Sequence, residues 1–136
     1  MALPPCHYAF QVYINNGVMD LMWQQRSADV FLGLPYDIVM YGLLLEMLAK
    51  GAGLKAGQLI GQLGDCHLYN NHLEQAKEYK DRPRRAMPQL ELESGINIST
   101  DKCVVPNYLN IPHKFEIKLN NYNPYAAIKA ELSVGK

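Results

Sequence analysis

The first part of the chain consists of two apolar segments separated by one turn signal. Residues 7–14 are rich in aromatic and β-branched types, which favour a strand. Asn15, Asn16 and Gly17 follow with the residue types of a tight hairpin turn, and residues 18–25 then form the return strand. The pattern predicts an antiparallel pair of strands, with Cys6 immediately before the first one.

A helix is predicted over residues 35–50. Pro35 suits the first position of a helix, whereas Gly51 and Gly53 suit its end. Apolar residues occupy almost the whole circumference between them, and Glu46 is the main interruption. A helix of this kind is typical of the buried centre of a fold.

Shorter elements are predicted in the remainder of the chain. They are a strand over residues 58–63, a polar helix over residues 71–80, and strands over residues 89–93 and 114–119. Residues 94–113 are predicted to be an irregular loop that contains two prolines. Because helices and strands are mixed without a regular βαβ order, the predicted fold class is α+β.

Size and charge narrow the classes of function. The 136 residues suit one globular domain, and 13 basic side chains balance 13 acidic ones. A neutral chain gives no reason to expect a nucleic-acid or acidic membrane surface. The first residues lack the basic start and apolar run of a signal peptide, and no later run reaches about 18 apolar residues. We therefore expect a soluble, cytoplasmic protein without nucleic-acid or membrane partners.

The three cysteines, Cys6, Cys66 and Cys103, are an odd number without a repeated spacing, so a disulfide framework is not expected. Each is a buried small side chain, a metal ligand or a reactive thiol. Cys6 differs from the others because Pro4 and Pro5 fix the chain before it and can hold its thiol toward a pocket, as a nucleophile requires. A nucleophilic thiol also needs a positive neighbour, and a buried inert cysteine is the alternative.

Two further clusters carry polar side chains, one suited to an anion and the other to a sugar hydroxyl. Arg26 and Ser27 are adjacent at a strand end, where a guanidinium and a hydroxyl can together hold phosphate oxygens. A surface arginine is the alternative for that position. His67 and Tyr69 fall on one face of another strand end and can bind a sugar hydroxyl.

A zinc site built from the Cys6-His7 and Cys66-His67 pairs is disfavoured. Adjacent residues of a strand point to opposite faces of the sheet, so such a pair does not easily offer both side chains to one ion. No metal is therefore expected.

Six segments of the chain resemble the thymidylate synthase family and together span nearly its whole length. They are MALPPCH, QRSADVFLGLPYDI, GDCHLYNNH, RPRRAMPQLEL, FEI and YNPYAAIKA. The resemblance is to the C-terminal, catalytic-cysteine half of the family. It implies that residues 1–136 form a single partial domain with a mixed kinked sheet and a buried central helix. It also implies transfer of a one-carbon unit from 5,10-methylenetetrahydrofolate to carbon 5 of a deoxypyrimidine monophosphate.

The resemblance assigns catalytic and phosphate-binding roles. Cys6 corresponds to the nucleophile that adds to ring carbon 6. Arg26 and Ser27 correspond to ligands of the phosphate, and Arg26 also lies near the thiol. Asp29 corresponds to a residue whose backbone amide reads the ring 2-oxygen and whose carboxylate faces the folate.

Other residues of the site follow from the same resemblance. Gln25 and Gly33 line the part of the site that receives the base. His67 and Tyr69 correspond to the pair that holds the deoxyribose hydroxyl. Together these residues predict one site for base, sugar and phosphate.

Asp37 departs from the pattern of the synthases, which resemble this chain but carry Asn there. The deoxycytidylate hydroxymethylases of the same family carry Asp at that position. A carboxylate has no donor for the 4-oxygen of uracil, but it can accept from the 4-amino group of cytosine and from a protonated ring nitrogen 3. We therefore predict a preference for dCMP, with dUMP as the alternative substrate. Stabilisation by the helix dipole is a structural reason for the same acid.

The resemblance also implies that several catalytic groups lie outside this chain. The N-terminal half of the family supplies further phosphate-binding arginines, a catalytic glutamate and an aromatic residue that screens the intermediate from water. We expect either a homodimer or an assembly with a polypeptide that provides that half. A non-catalytic protein that keeps the fold is the alternative, and the residues leave methyl and hydroxymethyl products open.

Overall fold

The computed structural model of the protein describes residues 4–92 and 117–133. Five strands are present there: β1 (His7–Asn15), β2 (Val18–Asp29), β3 (Lys55–His67), β4 (Gln89–Leu92) and β5 (Ile117–Asn120). Two α-helices are also present, α1 (Leu34–Gly51) and α2 (Leu73–Asp81), and a short 3₁₀ turn at Asn70–His72 lies between β3 and α2. Strands β1, β2 and β3 form one mixed sheet in that order, and β4 pairs with β5. The predicted α+β class is confirmed.

The first two strands form the predicted hairpin. Asn15 of β1 pairs with Val18 of β2, and the turn between them places Asn16 at φ 49° and Gly17 at φ 78°. Positive φ values at both turn residues match the right-handed twist of the flanking strands. β2 continues to Asp29, beyond the predicted end of the strand, because the residues after Gln25 pair with β3.

β2, α1 and β3 form one βαβ unit that the sequence pattern did not predict. β2 and β3 are parallel along their whole length, from the pair Val18 and Lys55 to the pair Asp29 and His67. β3 is also longer than the predicted strand over residues 58–63. Glycine is typical of turns, but Gly64 lies within β3 and allows close packing of the two strands. A Cβ at this position would lie 2.6 Å from the Arg26 carbonyl oxygen.

The core lies between this sheet and one side of α1. Its buried members are Met19, Leu21, Trp23, Tyr41, Leu45 and Ala49. The opposite side of α1 is exposed, with Tyr36 at 76% and Val39 at 68% of their full accessibility. The apolar residues around the whole circumference of α1 predicted that it is buried on every side. Within the described residues, however, the sheet covers only one side of the helix.

The remaining predicted elements are found in part. The polar helix predicted over residues 71–80 is observed as the 3₁₀ turn followed by α2. Strands β4 and β5 agree with two predicted strands, while Cys103 and the predicted loop over residues 94–113 lie outside the described residues. None of the helices in the described ranges is both long and apolar enough to cross a membrane.

Candidate active site

Cys6 and Arg26 are brought together where β1 begins beside β2. The backbone N–H of Arg26 donates to the Cys6 carbonyl at 2.9 Å, which aligns the two residues. The Arg26 guanidinium donates from Nε to the Pro5 carbonyl at 3.1 Å and from Nη2 to the Pro4 carbonyl at 2.7 Å. Nη2 thereby lies 3.8 Å from Cys6 Sγ. The two prolines thus hold a positive charge next to the thiol, and such a neighbour stabilises a thiolate.

The same guanidinium keeps donors for an anion. None of the contacts above uses Nη1, and an arginine carries five N–H groups in a planar fork. Ser27 follows Arg26 on β2 and pairs in register with Asp65 of β3. Within the described residues no hydrogen bond joins the side chains of Arg26 and Ser27. Their joint binding of phosphate therefore remains a prediction.

Gln25 is a buried polar residue whose amide has three partners. Its side chain is on the core face of β2, and the residue is only 3% exposed. Oε1 accepts from Trp23 Nε1 at 3.1 Å, while Nε2 donates to the Ser27 carbonyl at 2.8 Å and to Asp37 Oδ2 at 2.9 Å. The two N–H groups and the carbonyl of this amide are all in use, as burial requires.

Asp37, in the first turn of α1, is bound from both adjacent strands. Oδ2 accepts from Gln25 of β2, and Oδ1 lies 3.3 Å from His7 Nε2 of β1. The Asp37 backbone N–H also bonds to the Gly33 carbonyl at 3.1 Å. The carboxylate therefore has a fixed place at the end of the sheet that carries Cys6 and Arg26.

Tyr41 lies one helical turn after Asp37 and links this carboxylate to the core. Its ring stacks on Trp23 with centroids 5.1 Å apart, and the His7 ring lies 5.6 Å away. Burial, and then the negative charge of Asp37, raise the pKa of Tyr41 above its ordinary value. The phenol is consequently held neutral beside the carboxylate.

Asp29 and Gly33 shape the loop that leads from β2 into α1. Asp29 Oδ1 accepts from the backbone N–H groups of Phe31 at 3.0 Å and Leu32 at 3.3 Å. The Gly33 N–H donates to the Asp29 carbonyl at 3.1 Å. A Cβ on residue 33 would be just 3.1 Å from that same oxygen, so glycine permits the close turn. One oxygen of Asp29 is thus fixed by its own loop.

His67 and Tyr69 meet at the end of β3, as the sequence predicted. Their rings contact edge to face with centroids 4.9 Å apart. His67 also fixes the neighbouring loop, because its carbonyl accepts from the Val30 N–H at 2.9 Å. Asp65 Oδ2 lies 3.4 Å from His67 Nδ1. Joint binding of a sugar hydroxyl by this pair remains a prediction.

His72 is a central residue that sequence reasoning missed. It is completely buried, contacts the rings of Phe31 and Tyr69, and places Nε2 2.7 Å from the Glu131 carbonyl oxygen. Ser133 Oγ bonds to the adjacent Asn71 at 2.6 Å. These contacts fasten the C-terminal segment to the end of β3. The only sequence signal was the position of His72 in the segment that contains His67 and Tyr69.

The sequence analysis also did not predict that Trp23 and Tyr41 lie beside the candidate site. The alternation of buried and less buried residues along β2 could have indicated Trp23. Met19, Leu21, Trp23 and Gln25 are spaced by two residues and all are buried. A glutamine at the end of such a stripe needs partners in the core.

Over residues 4–92 and 117–133, no group of three or more His, Cys, Asp or Glu side chains is placed to hold a metal ion.

Comparison with known proteins places this chain in a family. The family model described as thymidylate synthase matches residues 1–134. This chain therefore belongs to the thymidylate synthase family.

Curated relatives in that family are thymidylate synthases by name. The protein from Listeria innocua serovar 6a is 45% identical over 134 residues, which cover 98% of this chain and 40% of that relative. The probable thymidylate synthase of Escherichia phage T5 is 43% identical over 134 residues and is covered to 46%. The chain thus spans less than half the length of these relatives. Their names do not assign it to the hydroxymethylase branch, which rests on Asp37 alone.

Proposed function

We propose that this chain is the catalytic-cysteine portion of an enzyme that methylates carbon 5 of dUMP to give dTMP. The one-carbon donor in this proposal is 5,10-methylenetetrahydrofolate. The observation that carries it is the approach of Arg26 Nη2 to Cys6 Sγ, 3.8 Å, in a chain of the thymidylate synthase family. The names of the relatives support dUMP as the nucleotide.

In this proposal Cys6 acts as the nucleophile. Its thiolate adds to ring carbon 6, and the electron pair of the 5,6 double bond makes carbon 5 nucleophilic. The folate supplies the one-carbon unit and the reducing hydride. Carbon 5 bonds to the one-carbon unit and gives up its proton to water or to a base of the further polypeptide. Hydride transfer with departure of the Cys6 sulfur then restores the ring double bond. Arg26 supports the first step because its charge stabilises the thiolate, and its remaining donors suit a phosphate.

The other proposed ligands are Asp29, Gly33, His67 and Tyr69. Asp29 suits the folate side of the site, because a carboxylate fixed by two backbone N–H groups is a well-oriented acceptor for pterin N–H donors. Its backbone amide and Gly33 face the base. His67 and Tyr69, in edge-to-face contact, offer an imidazole and a phenol to the deoxyribose hydroxyl.

A second candidate substrate is dCMP, and one observation favours it. Asp37 presents a carboxylate where a base-reading side chain is expected, and Gln25 already donates to it. A carboxylate that accepts from the protein is suited to accept from the 4-amino group of cytosine as well. The product would then be a 5-methyl or 5-hydroxymethyl cytosine nucleotide, which mass spectrometry distinguishes.

We also propose that the site is completed by further polypeptide. The chain covers 40% of the Listeria innocua relative, and α1 exposes Tyr36 and Val39 on the side away from the sheet. The remaining portion of such an enzyme, on the same or another chain, would cover this apolar side.

Trapping with 5-fluoro-dUMP tests the proposed function. The chain is incubated with this nucleotide and methylenetetrahydrofolate, alone and together with the N-terminal portion of the Listeria innocua relative. Mass spectrometry should then find a covalent adduct on Cys6. Cys6→Ser should abolish the adduct, whereas Cys66→Ser, which alters an exposed thiol, should keep it. Absence of the adduct under both conditions contradicts the proposal.

A further inference from the structure

We propose that Trp23 is a positioning residue for the base-reading carboxylate of Asp37 and acts on it through the Gln25 amide. The inference rests on the proposed function only in so far as Asp37 faces a pyrimidine. Trp23 itself contacts neither Cys6 nor Arg26 in the contacts described above. Its influence on the site passes through one hydrogen-bonded chain.

The partners of Gln25 force one orientation of its amide. An indole N–H can only donate, and a backbone carbonyl can only accept. Trp23 Nε1 therefore fixes the oxygen of the amide at 3.1 Å, and the Ser27 carbonyl fixes the nitrogen at 2.8 Å. With both ends fixed, the group that faces Asp37 Oδ2 at 2.9 Å is necessarily an N–H donor.

The indole is itself held in place from three directions. Tyr41 stacks on it with an interplanar angle of 14°. Gly61 of β3, which pairs with Trp23 in register, has no side chain, and a Cβ there would lie 2.5 Å from an indole carbon. Gln25 binds the ring nitrogen. Trp23 is only 4% exposed, so water does not replace these contacts.

This arrangement strengthens the hold on the carboxylate that reads the base. A donor bound to an amide oxygen polarises the amide and makes its N–H a stronger donor. Trp23 therefore strengthens the bond from Gln25 to Asp37, and that bond fixes the position of the carboxylate as an acceptor. An accepting carboxylate suits the 4-amino group of cytosine better than the 4-oxygen of uracil. Removal of the indole N–H should shift binding toward dUMP.

The test replaces only the N–H of the indole. Trp23 is the one tryptophan of the chain, so incorporation of the benzothiophene analogue of tryptophan, with sulfur in place of N–H, changes a single position. Trp23→Phe is the genetically encoded variant, which also removes part of the buried ring and is therefore interpreted only beside the analogue. Leu21→Val is the matched control, since Leu21 is buried on the same face of β2 but makes no polar contact with Gln25.

Two measurements decide the inference. Exchange of the Gln25 side-chain amide protons, followed by NMR without nucleotide, should become at least about threefold faster with the analogue, as expected for loss of one neutral hydrogen bond. The ratio of the dCMP to the dUMP dissociation constant should rise by a similar factor. Leu21→Val should change neither quantity, although it lowers stability.

Each remaining outcome has one meaning. Unchanged amide exchange with the analogue overturns the inference, and so does faster exchange with an unchanged ratio of dissociation constants. A loss of affinity that is equal for both nucleotides indicates a structural role and also overturns it. If the unmodified protein binds neither nucleotide, the proposed function fails instead, and amide exchange alone then decides the role of Trp23.

Discussion

Gly61 lies directly against the indole of Trp23, so that a methyl group at position 61 would approach ring carbons Cη2 and Cζ2 to 2.5 and 2.6 Å. The ring cannot move aside easily, because it is stacked on Tyr41 and hydrogen-bonded to Gln25. Glycine at position 61 is thus what allows a large aromatic side chain into the core.

We therefore expect Gly61→Ala to destabilise the protein. Forcing a methyl group into a packed core costs about 1–3 kcal/mol. Chemical denaturation should show this loss, with a shift in tryptophan fluorescence. Gly42→Ala is the control, since its Cβ would meet only Leu59 at 3.8 Å and alanine is the better helix former by about 0.8–1 kcal/mol. Equal stabilities of the two variants would show that the ring has room to move.

Asp37→Asn should shift nucleotide binding toward dUMP. An amide can donate to the 4-oxygen of uracil, which an ionised carboxylate cannot do. One hydrogen bond that involves a charged group contributes about 1.5–3 kcal/mol, so the ratio of the two affinities should change about tenfold or more. Calorimetry with dUMP and dCMP measures this ratio. The preference of the unmodified protein distinguishes the two candidate substrates, and an unchanged ratio in the variant means that residue 37 does not read the base.

The same substitution should alter Tyr41 in the absence of any nucleotide. Burial and the charge of Asp37 raise the pKa of Tyr41 above 10.0, so the folded protein holds this proton more tightly than the unfolded chain. The associated stability is fully present below about pH 10 and is lost as the pH rises through the folded-state pKa.

Asp37→Asn should lower the pKa of Tyr41 without returning it fully to 10.0, because burial is the larger cause. NMR of ¹³C-labelled tyrosine, assigned with Tyr41→Phe, measures the titration. Glu46→Gln removes another carboxylate of α1 and should leave the titration unchanged. A pKa that is identical in the parent and in Asp37→Asn would contradict the proximity of the two groups.

His72→Phe should loosen the C-terminal segment. Phenylalanine keeps an aromatic ring against Phe31 and Tyr69 but cannot bond to the Glu131 carbonyl. Loss of this bond should cost about 1 kcal/mol and speed amide exchange and proteolysis over residues 126–133. Leu132→Ala alters a residue that is 85% exposed and serves as the control. Equal protection in all three proteins would mean that the segment is held by other contacts.

The exposed apolar side chains of β1 lead us to predict that the protein self-associates. Tyr8, Phe10 and Val12 are exposed by 67%, 50% and 43%, and they form an apolar row on the edge strand of the sheet. We expect a dimer or larger assembly at micromolar concentration, measured by light scattering. Phe10→Asp should reduce the mass to that of one chain, whereas Leu132→Asp should not. A monomeric mass for the unmodified protein would refute this expectation.

Local features of the fold could be predicted from the sequence. The hairpin follows from Asn16 and Gly17, which supply the required positive φ values, and α1 begins close to Pro35 as expected. The parallel pairing of β2 with β3 could not be predicted, because nothing local to either strand specifies a partner so distant along the chain. The predicted strand stopped before Gly64, which allows close packing against Arg26 and does not form a turn.

The candidate site, too, could be predicted from the sequence only in part. Motifs identified Cys6, Arg26, His67 and Tyr69, and the structure brings each pair into contact. Hydrogen-bond partners inside the core are set by tertiary packing, which residue types alone do not encode. The link from Trp23 through Gln25 to Asp37, and the burial of His72, therefore became visible only in three dimensions.

The tie between His72 and the C-terminal segment also bears on the order of folding. Arg26 and Cys6 are separated by 20 residues and Gln25 and Asp37 by 12, whereas His72 and Glu131 are separated by 59. Closing a longer loop has a larger entropic cost, so contacts between near neighbours in the chain tend to form first. Cys6 and Asp37 should accordingly reach their places early, on the hairpin and the helix that follows it. The end of β3 that carries His67 should reach its final rigidity only in a late step, when the segment around Glu131 docks on His72.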